Sequence, residues 1–177
     1  MKPRELTITA LTAALCCVLS PVAVPVGAVP VSLSLFAVYL AAALSGPMRG
    51  AAAVAIYIVL GAVGLPVFSG FSGGIGHILG ATGGFIIGYI PCAVVTALFV
   101  REKNCAAWRY PVGMTLGTLC CYIFGTVWFS LTTGNTVIHA LTVCVLPFVL
   151  FDAAKITAAS LLCPRLRTAL AKLSSKR

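Results

Sequence analysis

The chain has 177 residues, of which 60% are apolar and 8% charged, with 17 glycines and a formal net charge of +9. A mean hydropathy of +1.10 excludes an ordinary water-soluble enzyme. At ~20 residues per bilayer crossing, this length accommodates about five to seven transmembrane helices and no appended soluble domain, so a single membrane domain over residues 1–177 is expected.

The first apolar run predicts a helix over about residues 6–24. A signal peptide is the competing reading, since Lys2 and Arg4 precede an apolar core and Val26-Gly27-Ala28 is small. The poor small-x-small match and Glu5 count against it. Pro21 to Ser32 carries three prolines and valines at alternate positions, which predicts an extended connecting loop. A second helix follows over about 32–45, closed by Ser45-Gly46-Pro47, and a third over about 50–65. Val67 to Thr82 is rich in glycine and serine and is expected to be irregular at its start. A fourth helix is expected over about 80–100 and a fifth over about 111–131. The segment at about 136–146 is too short to cross ~30 Å of hydrocarbon and is read as a half-inserted outer helix. A sixth helix covers about 148–163, with Pro164 expected to end it. The fold class is therefore an all-α integral membrane protein with six transmembrane helices.

Six crossings place both termini on one side, and the basic residues test that arrangement. Eleven of the twelve Lys and Arg residues lie on one face: Lys2, Arg4, Arg49, Arg101, Lys103, Arg109, Arg165, Arg167, Lys172, Lys176 and Arg177. The three segments on the other face hold none, so the positive-inside rule makes the first face, and both termini, cytoplasmic. The loops at 21–32, 66–82 and 132–147 then face outward.

The twelfth cation, Lys155, lies inside the sixth helix with Asp152. Their i, i+3 spacing sets both side chains on one face, where they can pair. A charge at the bilayer centre costs ~2.5 to 3.5 kcal/mol, and such residues mark a substrate or ion path more often than a purely structural pair. An acceptor-only carboxylate beside a three-donor ammonium suits a small ligand that carries N–H groups and a carbonyl or carboxylate. A proton relay is disfavoured, because Asp152 is the sole carboxylate within any predicted span.

Other motifs mostly exclude. The glycines from Gly70 to Gly80 precede no Gly-Lys-Ser or Gly-Lys-Thr, so there is no P-loop, and their spacing does not fit a dinucleotide fingerprint. Eight cysteines without a C-x-x-C, two distant histidines and three carboxylates give no metal cluster. Glycines 76, 80, 84 and 88, and the series Gly113, Gly117, Cys121, Gly125, read as small-residue packing ridges. Around Gly73, Gly74, Gly83 and Gly84, bare backbone amides are candidates to meet a ligand, with Phe85 and Tyr39 as aromatic candidates for the pocket wall. His77 and His139 read as surface polar groups. Ala10 and Ala14 form a small-x-x-x-small pair, either internal packing or a docking face for a partner helix.

Taken together, several stretches resemble the BioY family, the biotin-capturing membrane subunits of energy-coupling factor (ECF) vitamin importers. They are Val29-Pro30-Val31-Ser32, Gly46-Pro47-Met48-Arg49-Gly50, the run Leu60 to Phe68 with its Ser-Gly-Gly continuation, Thr82-Gly83-Gly84-Phe85, and Pro147-Phe148 followed by Asp152-x-x-Lys155. The sequence departs from the family pattern at Ala81, where a proline often precedes the threonine, and at Phe151, where glycine commonly precedes the aspartate.

The resemblance implies a multi-pass protein of the bacterial plasma membrane. It would bind biotin from outside as its transported ligand, without a cofactor. It would then deliver biotin to a transmembrane coupling protein and two ATP-binding subunits. It also implies that Asp152 and Lys155 meet the ligand's polar head and that Ala10 and Ala14 face the coupling protein. No enzyme activity and no nucleic-acid partner are expected, and a homo-oligomer is left open. The alternative is a partner-independent facilitator or capture protein for another small vitamin. An intramembrane enzyme ranks last, for want of paired carboxylates, a metal cluster or a Ser-His arrangement.

Overall fold

The computed structural model describes residues 3–24, 31–102 and 105–175, with side chains described for 5–24, 31–102 and 105–170. In chain order it comprises α1 (Pro3–Leu19), β1 (Ala23–Val24), β2 (Val31–Ser32), α2 (Ser34–Ser45), α3 (Pro47–Ala62), α4 (Ile75–Leu79), α5 (Gly83–Phe99), α6 (Arg109–Thr133), α7 (Val137–Cys144) and α8 (Leu146–Ser175). Val26-Gly27-Ala28, Val29-Pro30 and the side chains of Lys2, Arg4, Lys103, Lys172, Lys176 and Arg177 lie outside the described residues.

Proline and glycine set the helix boundaries. α1 stops at Leu19, well before residue 24, because Pro21 disfavours helical backbone at the residue before it. The connection beyond is extended and pairs with itself, with Ala23 opposite Ser32 and Val24 opposite Val31 in an antiparallel ladder. Between α2 and α3, Gly46 adopts a φ of 81° that favours glycine, and Pro47 occupies the first turn of α3. There its missing N–H costs nothing, so α3 begins three residues earlier than the apolar run suggested.

α8 corrects the sequence reading, since it passes through Pro164 and continues to Ser175. A proline removes one backbone donor, and an intramembrane helix tolerates this where neighbours and hydroxyl side chains re-satisfy the local groups. The turn beyond is secured by Thr168 Oγ1, which donates to the Pro164 carbonyl at 2.9 Å.

α2 is the central helix, with ten of its twelve residues buried. Its alanines at 37, 41, 42 and 43 let α1, α3, α5 and α8 all pack against it. α5 and α6 form the other close pair, and here glycine is required. A Cβ on Gly117 would lie 2.5 Å from Thr96 Oγ1 and 2.8 Å from the Cys92 carbonyl oxygen, and one on Gly88 would lie 3.2 Å from Cys121 Cα. Gly84 meets the Trp128 side chain and Gly125 meets the Phe85 ring in the same way. The ridge expected at 76, 80, 84 and 88 is broken, because α4 ends at Leu79 and α5 begins at Gly83.

Polarity is reversed relative to a soluble protein. Leu119, Ile123, Phe124, Val127, Leu131, Leu150 and Leu161 are all exposed, while alanines, cysteines and threonines are buried. A continuous apolar exterior of this kind requires an apolar solvent. α6 and the Leu146–Leu170 part of α8 are each long and apolar enough to cross a membrane. The apolar helices α1, α2, α3 and α5 have 12–17 residues, or about 18 to 26 Å of helix.

Contacts define two ends of the bundle. At one, Arg49 pairs with Glu5 at 3.2 Å, Thr12 Oγ1 meets Ser45 Oγ at 3.0 Å, and Arg167 Nη1 donates to the Val100 carbonyl at 2.5 Å. At the other, Gly70 N–H donates to the Pro21 carbonyl at 3.0 Å, Gly74 N–H to the Gly61 carbonyl at 2.7 Å, and Trp128 Nε1 to the Gly80 carbonyl at 3.0 Å. The β-hairpin and the 66–82 segment thus cover one end, and the arginines Arg49 and Arg167 mark the other.

Candidate functional site

The two charges of α8 form a buried pair. Lys155 Nζ lies 2.8 Å from Asp152 Oδ1, with side chains 11% and 3% exposed. The other carboxylate oxygen is not idle, since Tyr122 of α6 donates its hydroxyl to Asp152 Oδ2 at 2.5 Å. One carboxylate therefore holds an ammonium and a phenol from two different helices, which offsets the cost of burying its charge. Each oxygen retains acceptor capacity for a further N–H donor.

One turn from Tyr122 on α6 stands Thr118. Tyr39 is fully buried, and its hydroxyl meets Thr118 Oγ1. Tyr89 faces a cavity of about 210 Å³ between the hairpin, α3, the 66–82 segment and α5. Hydroxyl groups dominate one wall, from Ser32, Ser34, Ser69, Ser72, Thr82 and Tyr57. Phe68, Phe85 and Ile86 supply apolar surface.

The wall is largely organised in advance. Ser32 Oγ donates to Ser34 Oγ at 2.8 Å, and Ser72 Oγ to the Ser69 carbonyl at 2.8 Å. Tyr57 meets Phe68 edge to face with ring centroids 5.7 Å apart, and Phe68 in turn meets His77 at 6.3 Å. Ser69 Oγ is buried and has no partner among the described residues. A buried hydroxyl without a partner costs ~1 to 3 kcal/mol, so a ligand that bonds to it recovers that amount.

The sequence candidates separate into three groups. Asp152 and Lys155 are together, and Phe85 lines the cavity. Tyr39 meets Thr118, one turn from Tyr122 on α6, and does not line the cavity. The four glycines do not line it either. A Cβ on Gly73 would run into the Leu65 carbonyl, one on Gly83 into the Ile78 carbonyl and one on Gly84 into Trp128, while Gly74 serves a turn at φ 101°. Asp152 and Lys155 are also absent from the cavity lining. His77 is exposed at the cavity rim, and His139 is exposed on α7.

Tyr122 and Ser69 were not among the sequence candidates. A tyrosine inside an apolar run needs a hydrogen-bond partner when buried, and that was the available signal for Tyr122. Ala10 and Ala14 are exposed on α1, on an outer surface shared with Leu6 and Val18. Their side chains are not consumed by packing inside the bundle. Among the described residues, no group of His, Cys, Asp and Glu is arranged to hold a metal ion.

Comparison with known proteins places this geometry in context. The BioY family matches residues 1–172. The chain is 40% identical to the probable biotin transporter BioY of Pyrococcus horikoshii, over 94% of this chain and 98% of that protein. It is 36% identical to the biotin transporter BioY of Thermotoga maritima, over 93% and 96% of the two chains. Among solved structures, it superposes on the S-component for biotin from an ECF-type ABC transporter with a TM-score of 0.87, at 25% identity, covering 94% of this chain and 92% of that one.

Proposed function

The chain belongs to the BioY family, and from this premise we propose that it is the biotin-capturing S-component of an ECF-type importer. Biotin enters the hydroxyl-lined cavity beneath the hairpin and the 66–82 segment. Its ureido ring offers two N–H donors and one carbonyl, its thioether ring and aliphatic tail are apolar, and its tail ends in a carboxylate. Phe68, Phe85 and Ile86 accept the apolar parts, and the serine and tyrosine hydroxyls accept a polar end. Asp152, which lies outside that lining, takes an N–H and Lys155 donates to an oxygen, which requires the cavity to extend toward the pair when ligand binds. Gly73, Gly74, Gly83 and Gly84 act by shaping the backbone around the ligand, and Tyr39 by buttressing the acidic side of the pair.

The observation that carries this reading is the buried Asp152–Lys155 pair, with Tyr122 fixing the second carboxylate oxygen. A purely structural pair is often replaceable by apolar packing at no loss of stability, so retaining a desolvated acid and base inside a bilayer supports a ligand that reads both. In the same reading α1, α2, α3, α5, α6 and α8 are six crossings with both termini cytoplasmic. The distribution of Arg49, Arg101, Arg109, Arg165 and Arg167 supports that orientation. Energy comes from a coupling protein and two ATP-binding subunits, and the exposed Ala10–Ala14 surface supports α1 as the face that docks the coupling helix.

Titration of the purified protein with biotin, desthiobiotin and an unrelated vitamin tests the assignment. Saturable binding of the first two alone is expected; equal indifference to all three overturns it. Uptake into proteoliposomes by the isolated chain, without ATPase subunits, would favour the facilitator reading instead.

A further inference from the structure

At the end of the bundle opposite the hairpin lies a second and larger cavity of about 610 Å³. It is formed where the α2–α3 turn, the C-terminal end of α5 and the distal part of α8 meet, and Arg49, Arg101 and Arg167 all line it. None of its lining residues is acidic. The three guanidinium groups are held differently. Arg49 pairs with Glu5 at 3.2 Å. Arg167 Nη1 is anchored to the Val100 carbonyl at 2.5 Å and to the Tyr110 hydroxyl at 3.3 Å. Arg101 is exposed and has no hydrogen-bond or ion-pair partner among the described residues. The first turn of α3 also lines the cavity, and its N-cap, Gly46, provides no side-chain hydrogen bond to the free backbone donors. The partial positive charge of that terminus adds to the three cations.

The rim is amphiphilic. Met48 is 87% exposed and Leu98 53% exposed, and both line the same cavity. Cations alone would serve any small anion. Cations beside exposed apolar side chains serve an anion that carries a hydrocarbon chain.

We propose that this cavity binds the phosphodiester headgroup of an anionic phospholipid, with Arg101 closing on the phosphate and an acyl chain lying along Met48 and Leu98. Basic pockets between transmembrane helices at the cytoplasmic surface take anionic headgroups, and guanidinium groups match phosphate oxygens in a bidentate geometry. The inference rests on the proposed orientation, which sets these arginines in the cytoplasmic headgroup layer.

The test is native mass spectrometry of the full chain in a neutral detergent, titrated with dioleoyl phosphatidylglycerol, dioleoyl phosphatidylcholine or inorganic phosphate. Phosphatidylglycerol is expected to be retained at least tenfold better than phosphatidylcholine. Arg101→Gln should weaken that retention about fivefold, and Arg101→Lys, which keeps the charge but loses the bidentate fork, should fall between the wild type and Arg101→Gln. Equal retention of the two lipids, or an unchanged preference in Arg101→Gln, overturns the site. Inorganic phosphate binding as tightly as phosphatidylglycerol and displacing it overturns the lipid as occupant. Biotin titration of the same samples separates the two proposals: intact biotin binding without lipid preference sinks this one alone, and the converse sinks the capture reading alone.

Discussion

The Tyr122 hydroxyl lies 2.5 Å from Asp152 Oδ2, on the opposite side of the carboxylate from Lys155 Nζ at 2.8 Å from Oδ1. The acid is therefore clamped between α6 and α8, and its acceptor lone pairs are aimed rather than free to rotate. Asp152→Asn keeps the shape but replaces charge-assisted hydrogen bonds by neutral ones, a difference of about 1 to 2 kcal/mol per bond. Biotin affinity should fall roughly ten- to thirtyfold. Lys155→Ala leaves a buried carboxylate without its counter-charge and should cost more, both in affinity and in thermal stability. Tyr122→Phe should weaken binding by a smaller factor, about fivefold for one lost hydrogen bond. Calorimetric titration with parallel melting curves measures all three; unchanged affinity in all of them would reduce the clamp to a structural pair.

Ser69 gives a prediction of the opposite kind for the empty protein. Its hydroxyl is buried and unpartnered among the described residues, so Ser69→Ala removes an unsatisfied group and should leave the melting temperature of the ligand-free protein unchanged or slightly raised. The ligand loses a hydrogen bond worth about 1 kcal/mol, so affinity for biotin should drop about fivefold. A variant that melts lower when empty and binds biotin normally would show that Ser69 serves the fold alone.

Parts of this arrangement were legible in the sequence, and the physics explains which. Asp152 and Lys155 stood out because two charges three residues apart cannot lie unnoticed in an apolar run. Tyr122 did not, because a tyrosine in such a run declares no partner until the residue thirty positions away is seen beside it. Glycine spacing revealed close approach without revealing what approaches. Gly117 and Gly125 admit α5, as the small-residue ridge on α6 implied. Gly73, Gly83 and Gly84 were taken as bare backbone for a ligand, yet their missing side chains make room for Leu65, Ile78 and Trp128. Pro164 carries the sequence signal of a stop, yet α8 continues through it to Ser175 at the cost of one backbone hydrogen bond.

The packing role of these glycines is testable by a matched pair. Gly117→Ala sets a methyl group 2.5 Å from Thr96 Oγ1 and 2.8 Å from a backbone carbonyl, so α5 and α6 must separate. Overpacking of this kind costs about 1 to 3 kcal/mol. Gly76→Ala has no atom within 4 Å of the new carbon and should be neutral. Melting curves in the same detergent should show a clear loss for the first and none for the second. Equal behaviour of the two would refute the close-contact account.

In the connection before α6, the Glu102 carboxyl is held below its ordinary pKa of 4.5 by the guanidinium of Arg109, the first residue of that helix, through a hydrogen bond and then through charge. A carboxyl with a lowered folded-state pKa stabilises the fold above the ordinary value and loses that contribution as pH falls through the lowered one. The wild type should therefore melt slightly above Glu102→Gln at neutral pH, with the gap closing as the solution is acidified below about 4.5. Glu102 is exposed and Arg109 partly so, and the gap should therefore also shrink in high salt. A gap that persists at acid pH would have another origin than this ion pair.

Among the described residues, a backbone hydrogen bond joins the two segments that cover this end of the bundle. Gly70 N–H reaches the Pro21 carbonyl at 3.0 Å, and the Phe68–Ser72 turn is held by N–H to carbonyl bonds of 2.9 and 3.3 Å. Phe68, Ser69, Ser72 and His77 of this segment all face the cavity. Entry of a ligand from that end would part these contacts and then remake others with the same residues, which predicts a looser empty state and a tighter filled one for the segment. Amide hydrogen exchange at 66–82 should accordingly slow on addition of biotin, most strongly at Gly70, Ser72 and Gly74, whose N–H groups bond across or within the loops. Exchange in the α5–α6 contact around Gly117 should stay as it was, because that interface is closed in either state. Uniform slowing along the whole chain would point to global stabilisation by ligand and against a local closure. No slowing at 66–82, in protein shown to bind biotin, would place the entry route elsewhere.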